Sequence, residues 1–248
     1  MFFTKFPHKA NFSYATGFDA STGRLSAGTR RFDAAMQRYA DGVYRLQVSG
    51  EAWGENRSLI ALNAGVSEPC SSTLAGDLGF TLKSSKGPVL ATAEGASFGV
   101  CGDTWMLQFE IGKDARFFGM GEKNFGRLEL SGIRTKFWST DVWSDFHIGQ
   151  WTEDVADPPY FSLPYLVVKT ANGYVGILNH TAAPAFFETP SPKGGEEWPI
   201  WVNTGKTLVV GAECGKPDVW FIVAPTLKEL TRKLMADNPL ATYPRLGG

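Results

Sequence analysis

The chain has few of the residues that cross-link small domains or bind metal ions. Its 248 residues include three histidines and three cysteines, Cys70, Cys101 and Cys214. The cysteines are odd in number and far apart, and no CxxC pair occurs, so neither a disulfide framework nor a structural zinc site is expected. We expect inert thiols and no metal or other cofactor.

An excess of one charge and a long apolar run are also missing. Lys and Arg number 24 against 25 Asp and Glu, whereas nucleic acids and anionic membranes attract proteins with a basic excess. No apolar run reaches the length of about 18 residues that a membrane span needs, and the N-terminus lacks the apolar stretch of a signal peptide. These absences predict a cytoplasmic protein without nucleic-acid or membrane partners.

Apolar residues and turn formers are abundant. Hydrophobic residues make up 43% of the chain and aromatic residues 13%, which is enough for a sizeable core, and 28 glycines and 14 prolines punctuate it. Short alternating runs such as Val43–Ser49 and Trp105–Ile111 predict half-buried strands. Asn172-Gly173 between two apolar runs predicts a hairpin. Many short strands at close spacing predict an all-β, antiparallel β-sandwich.

The chain divides into three predicted parts. Residues 1–30 show little periodicity and are interpreted as a loose N-terminal lead-in, residues 31–225 as the β-sandwich domain, and residues 226–248 as a helix and linker. The helix is predicted at Thr226–Asp237, because Thr226 and Glu229 form a capping box and three leucines follow at helical spacing. Residues 32–40 fit either a helix or a strand.

The segment 137–165 has the most unusual composition. It combines eight aromatic side chains, among them Trp138 and Trp143, with five acidic ones and His147. Residues 140–159 show no helix or strand period, and so long a loop in a compact domain is usually functional. Aromatic rings can lie against the C–H faces of a sugar while carboxylates accept hydrogen bonds from its hydroxyls. Packing rings with a solvated acidic rim would have the same composition, so both interpretations stay open here.

Catalysis by this segment alone has weaker support. Glycoside cleavage needs two carboxyl groups held about 5–5.5 Å or about 6.5–9.5 Å apart, and positions on a loop fix no such distance. The chain contains no GxSxG, P-loop or GxGxxG motif, so hydrolase-elbow and nucleotide-binding interpretations have no support.

Six short stretches resemble, in the same order, motifs of one family, the N-terminal domain of glycoside hydrolase family 31, which includes α-glucosidases and α-xylosidases. They are Asp41–Arg45 (D-G-x-x-R), Phe117–Glu122 (F-x-G-x-G-E), Phe137–Asp141 (W-N-T-D), Asp157–Tyr165 (D-P-x-Y-x-S-x-P-F), Gly173–Ile177 and Ala224–Glu229 (G-P-T-P-K-E). Two departures stand out: Ser139 replaces the usual Asn, and Leu128–Gly132 replaces an L-N-K-R-G-like stretch.

The resemblance implies a galactose-mutarotase-like β-sandwich that precedes a (β/α)₈ barrel, with one loop reaching over the barrel's sugar pocket. It implies that Asp141 contacts substrate and that Trp138 is its neighbour. Asp141, Trp138, Trp143 and His147 are the predicted substrate-binding residues, and none is predicted to be catalytic. The family's nucleophile and acid/base aspartates belong to the barrel, which would begin near Pro244. The expected partners are an α-glycoside and a barrel of the same or a companion chain, and the chain alone should be inactive.

Three other functions remain open at this point. A free-standing sugar-binding module would present Trp143 or Trp151 in a groove. An aldose-1-epimerase-like enzyme would need His147 or His180 beside a carboxylate in the concave face. A scaffold with a bare apolar face would self-associate.

Overall fold

A computed structural model describes residues 9–51, 53, 68–70, 73–123, 125, 127–137, 162–191 and 205–236. These residues form sixteen strands, one α-helix and a single turn of 3₁₀-helix at Lys9–Asn11. The strands are β1 Ser13–Asp19, β2 Arg24–Ala27, β3 Arg30–Ala40, β4 Val43–Ser49, β5 Glu68–Pro69, β6 Thr81–Ser84, β7 Gly87–Thr92, β8 Phe98–Cys101, β9 Thr104–Glu110, β10 Arg116–Gly121, β11 Arg134–Phe137, β12 Ser162–Thr170, β13 Gly173–Asn179, β14 Ala185–Glu188, β15 Thr207–Ala212 and β16 Asp218–Ala224. The helix, α1, is Leu227–Ala236.

The strands form two antiparallel layers that share one strand. Hydrogen bonds connect them in the order β10-β12-β13-β16-β4-β3-β2-β1-β8-β9-β15-β14-β11. We name the strands from β10 to β2 the first layer and those from β8 to β11 the second layer, which β7 and β6 extend. β1 pairs with β2 of the first layer and with β8 of the second, so it joins the two.

The core lies between the layers. Phe109 on β9 and Phe221 on β16 have ring centroids 5.9 Å apart, and Phe32 on β3 approaches Phe98 on β8 at 6.1 Å. In both pairs the rings come from opposite layers and meet edge to face, as aromatic pairs prefer. The β-sandwich predicted from the sequence is therefore confirmed.

The N-terminal part of the domain differs from its prediction. Residues 13–27, expected within a loose lead-in, form β1 and β2, and they bury Ala15, Leu25 and Ala27 in the core. β1 shows little alternation because Gly17 adopts a positive φ of 66° and the register with β2 shifts between Thr16 and Asp19. Its place in the sheet depends on a partner, β8, that lies far along the chain.

The helix and the ambiguous strand are resolved by their contacts. Residues 32–40 lie within β3, where alternate side chains face the core. α1 begins one residue later than predicted, and the predicted last residue, Asp237, lies outside the described residues. The Glu229 backbone N–H donates to Thr226 Oγ1 at 3.2 Å, and the Thr226 hydroxyl lies 2.9 Å from Glu229 Oε2. Thr226 therefore caps the helix.

The three cysteines are all free thiols. In the described part of the chain, no helix combines the length and the apolar character needed to cross a membrane.

Candidate functional site

Three consecutive residues of β10 have left-handed backbone conformations. Gly119, Met120 and Gly121 have φ angles of 101°, 71° and 74°, which is costly for a side chain such as methionine. At this point the ladder with β12 is irregular: Gly119 pairs with Leu166, but Gly121 pairs with Ser162. An advance of two residues along β10 thus corresponds to four residues along β12, and this mismatch is a β-bulge.

The bulge accommodates residues that a regular ladder would not. Pro164, which has no N–H to donate, lies within the bulged stretch of β12. Gly119 is required by a close approach, because a Cβ atom there would lie 2.8 Å from the Tyr165 carbonyl oxygen. The family-like stretches Phe117–Glu122 and Asp157–Tyr165 are therefore direct neighbours in the fold.

Lys123 connects this bulge to the end of β11. Its Nζ donates to the Lys136 carbonyl oxygen at 2.5 Å and lies 4.5 Å from the centroid of the Phe137 ring, a cation–π distance. Phe137 in turn meets Phe187 edge to face at 5.1 Å. The last residue of β11 is fixed by these contacts.

Both ends of the segment 138–161 are thus anchored by one short stretch. Ser162, which follows the segment, pairs with Gly121, and Phe137, which precedes it, contacts Lys123. Phe137 belongs to the outermost strand of the second layer, and Ser162 to the strand next to the outermost one of the first layer. The residues that flank the segment therefore belong to different layers.

The predicted substrate-binding residues Asp141, Trp138, Trp143 and His147 lie outside the described residues, so their roles stay predictions. The structure brings together the stretches before and after them, 117–123, 134–137 and 162–165. Most of these stretches stand out in the sequence by their family resemblance. Lys123 does not, because no local pattern indicates its contact with β11.

Ionic pairs line the outward face of the second layer near β11. The Lys136 side chain is only 7% exposed and is in contact with Glu213. Glu188 on β14 is buried and lies 3.5 Å from both Lys9 Nζ and Arg134 Nε. Buried charges need such partners, so these ion pairs hold the ends of β11 and β14 in place.

A second polar cluster lies on the outward face of the first layer. Arg45 on β4 makes two hydrogen bonds to Asp218 on β16, at 2.8 and 2.6 Å, and His180 Nδ1 lies 3.2 Å from the same carboxylate. Burial alone raises the pKa of Asp218, but the hydrogen bonds from Arg45 and His180 outweigh it and hold the pKa below the ordinary aspartate value.

This cluster bears on the epimerase-like alternative. His180 does stand beside a carboxylate, as that alternative requires, but Asp218 is 2% exposed and already holds Arg45 in a bidentate pair. Such a carboxylate is a structural anion rather than a proton carrier. His147, the other histidine considered, lies outside the described residues.

Comparison with known families decides where the fold belongs. Residues 79–188 match the family model described as the glycosyl hydrolase 31 N-terminal galactose mutarotase-like domain. Over this stretch the chain is similar to a glycosyl hydrolase 31 mutarotase-like domain. The matched range contains β6 to β14, and with them the bulge at Gly119–Gly121 and both ends of the segment 138–161. The family-like stretches at Asp41–Arg45 and Ala224–Glu229 lie outside it.

Solved structures of three enzymes share the fold of this chain. The Flavobacterium johnsoniae GH31 dextranase complexed with glucose aligns with a TM-score of 0.59 and 15% identity, covering 90% of this chain and 28% of the dextranase. The Gracilariopsis lemaneiformis α-1,4-glucan lyase aligns at 0.57 and 12%, covering 85% and 28%. The glucosidase II α subunit, bound to alpha3-Glc2, aligns at 0.54 and 14%, covering 95% and 35%.

At these identities the alignments show the fold alone, and the chain spans about a third or less of each of these proteins. No curated protein sequence matches the chain.

Proposed function

We propose that this mutarotase-like domain forms part of the substrate pocket of a family 31 glycoside hydrolase, by carrying Asp141 to a sugar bound in a (β/α)₈ barrel. The barrel belongs to the same or a companion chain, and the substrate is an α-glycoside. Asp141 accepts hydrogen bonds from sugar hydroxyls, and Trp138, Trp143 and His147 line the same region. The assignment of Asp141 and Trp138 rests on the family resemblance.

The observation that carries the proposal is the double anchoring of the segment 138–161. One stretch, Gly119–Lys123, holds the residue before the segment and the residue after it. Left-handed backbone at a non-glycine residue persists only where the surrounding structure enforces it, and it clusters at functional sites. An anchor at both ends restricts where the acidic and aromatic side chains can lie, which pre-organises a binding loop.

The described sandwich gives no support to catalysis by this chain alone. Hydrolysis of a glycoside needs two carboxyl groups in a shared cleft, one of them free to exchange a proton. In the described ranges the two buried carboxylates, Glu188 and Asp218, lie beside cations in separate layers. The barrel is therefore proposed to supply the catalytic carboxylates.

The test is turnover of an aryl α-glucoside by the chain alone and after addition of a separately prepared family 31 (β/α)₈ barrel. We expect turnover only in the mixture. Asp141→Asn should lower kcat/KM there about a hundredfold, because a charged acceptor to the sugar is lost. The control is Asp114→Asn, an exposed carboxylate on the turn before β10, which should leave kcat/KM unchanged.

Turnover by the chain alone that Asp141→Asn abolishes would contradict this division of labour. Equal kcat/KM for Asp141→Asn and the unchanged chain in the mixture would contradict the role of Asp141. Oligosaccharide binding by the isolated chain that Trp143→Ala removes would favour the free-standing sugar-binding module instead.

A further inference from the structure

A surface cleft of about 480 Å³ lies on the outward face of the first layer, where it is lined by the β1–β2 turn, β3, β4, Pro69 of β5 and the turn before β16. Its volume falls in the range typical of ligand-binding clefts. The lining residues come from 20–23, 33–35 and 47–49, together with Pro69 and Lys216. None of them belongs to the segment 138–161 or to the bulge that anchors it.

The cleft exists because β3 changes its hydrogen-bonding neighbour along its length. Residues 30–33 of β3 pair with β2, while Gln37 and Arg38 pair with β5. Between these two partners, single backbone hydrogen bonds connect β3 to its neighbours on that side, from the Ala34 N–H to the Gly23 carbonyl and from the Cys70 N–H to the Met36 carbonyl. The β1–β2 turn and Pro69 therefore stand as separate walls with a gap between them.

The floor of the cleft presents open hydrogen-bonding groups from two adjacent strands. Asp33 pairs in register with Ser49, and Ala35 pairs with Gln47. Because their neighbours in each strand are buried in the core, these four side chains face outward. Among the described residues, no hydrogen bond or ion pair engages the Asp33 carboxylate or the Ser49 hydroxyl.

Gln47 is oriented by the buried cluster behind it. Its Nε2 lies 3.4 Å from Asp218 Oδ2, which Arg45 already holds. This contact assigns the amide nitrogen to the buried side, so the amide oxygen is the atom available to the cleft. The small side chain of Ala35, in register with Gln47, leaves the space beside that oxygen open.

The charges of the cleft select the class of ligand. The Asp33 carboxylate disfavours an anion and Lys216, which lines the same cleft, disfavours a cation. The carboxylate, the amide oxygen and the hydroxyl all accept hydrogen bonds. A neutral ligand that is rich in hydroxyl donors satisfies these groups without placing a charge against one of its own sign. We propose that this cleft binds a single saccharide unit, at a site separate from that of Asp141.

The test is a titration of the ¹⁵N-labelled chain with methyl α-D-glucoside, followed by NMR. The amide signals of residues 33–35 and 47–49 should shift in a saturable way. Asp33→Ala removes the main hydrogen-bond acceptor, and Ala35→Phe fills the floor of the cleft. Each should raise the apparent Kd at least about tenfold. Both positions are exposed, so the variants should keep the spectrum of the folded chain. Asp114→Ala serves as the matched carboxylate control.

Asp141→Asn and Trp143→Ala should leave this binding unchanged, which separates it from the proposed function. Saturable shifts confined to the cleft and lost in Asp33→Ala and Ala35→Phe would support the site. Absence of shifts at saturating glucoside, or binding that survives in both cleft variants, would overturn it. Equally tight binding of inorganic phosphate at the same amides would overturn the choice of a neutral saccharide.

Discussion

The Arg45–Asp218 pair is a single contact that fixes distant parts of the chain, because its partners lie 173 residues apart in sequence. Asp218 is almost fully buried, while Arg45 covers it from the outer face and also lies 5.0 Å from the centroid of the Trp220 ring. Removing one partner from such a pair leaves an uncompensated buried charge, which is much more damaging than losing an exposed pair.

We expect Arg45→Met to lower the free energy of unfolding by about 3 kcal/mol at neutral pH. The pKa of Asp218 is depressed in the folded chain, so its stabilising contribution is present above the unfolded aspartate pKa and is lost as the pH falls through the folded value. The difference in the free energy of unfolding between Arg45→Met and the unchanged chain should therefore become smaller below about pH 4. Urea denaturation across the acidic range measures it.

The matched control is Arg38→Met, which breaks an exposed pair with Glu68 whose N–O distance is also 2.6 Å. Exposed ion pairs contribute little, so this variant should unfold at nearly the same urea concentration as the unchanged chain. Equal losses in the two variants would show that burial of the Asp218 pair has no special role.

Gly119 is a second residue whose replacement has a specific expected effect. Alanine there combines a φ of 101° with a Cβ only 2.8 Å from a backbone oxygen. We expect Gly119→Ala to destabilise the chain by about 2 kcal/mol or more, as strained backbone positions do. Gly112→Ala, with no atom within 4 Å of the new Cβ, should be neutral in the same urea experiment. A neutral Gly119→Ala would mean that the bulge relaxes freely.

Among the secondary-structure elements, those with a strict local pattern were predictable. Val43–Ser49 was predicted with its observed bounds because polar and apolar residues alternate along it, and the hairpin at Asn172-Gly173 follows from its turn residues. β11 was not predicted, since two of its four residues are Lys136 and Thr135, both buried. A lysine in a sequence favours a solvent-exposed position, and only the structure shows that Lys136 is buried against Glu213.

The helix α1 is another element whose local signal was sufficient, and its cap gives a direct test. Thr226→Ala removes the oxygen that accepts the Glu229 N–H and should lower the free energy of unfolding by about 1 kcal/mol. Thr231→Ala in the middle of the helix, where the hydroxyl only bonds back to the Leu227 carbonyl, should have little effect. If both variants lose the same stability, the capping interaction is not the cause.

For the molecule as a whole, the sequence predicted the fold class and the family but not the arrangement of the candidate sites. The motifs around 117–122 and 157–165 were recognised separately, and only the paired strands β10 and β12 show that they form one anchor. The cleft between the β1–β2 turn, β3 and β5 could not be predicted, because it arises from a change of pairing partner that leaves no mark on the side-chain pattern.

The pairing of β4 with β16 has a consequence for folding during synthesis. Asp218 of β16 follows Arg45 of β4 by 173 residues, yet the two strands are direct neighbours in the first layer. Until Asp218–Ala224 has been synthesised, the edge of β4 that pairs with β16 has no partner. Over this stretch of translation a nascent chain therefore carries an open, aggregation-prone strand edge, and its yield should depend on whatever shields that edge meanwhile.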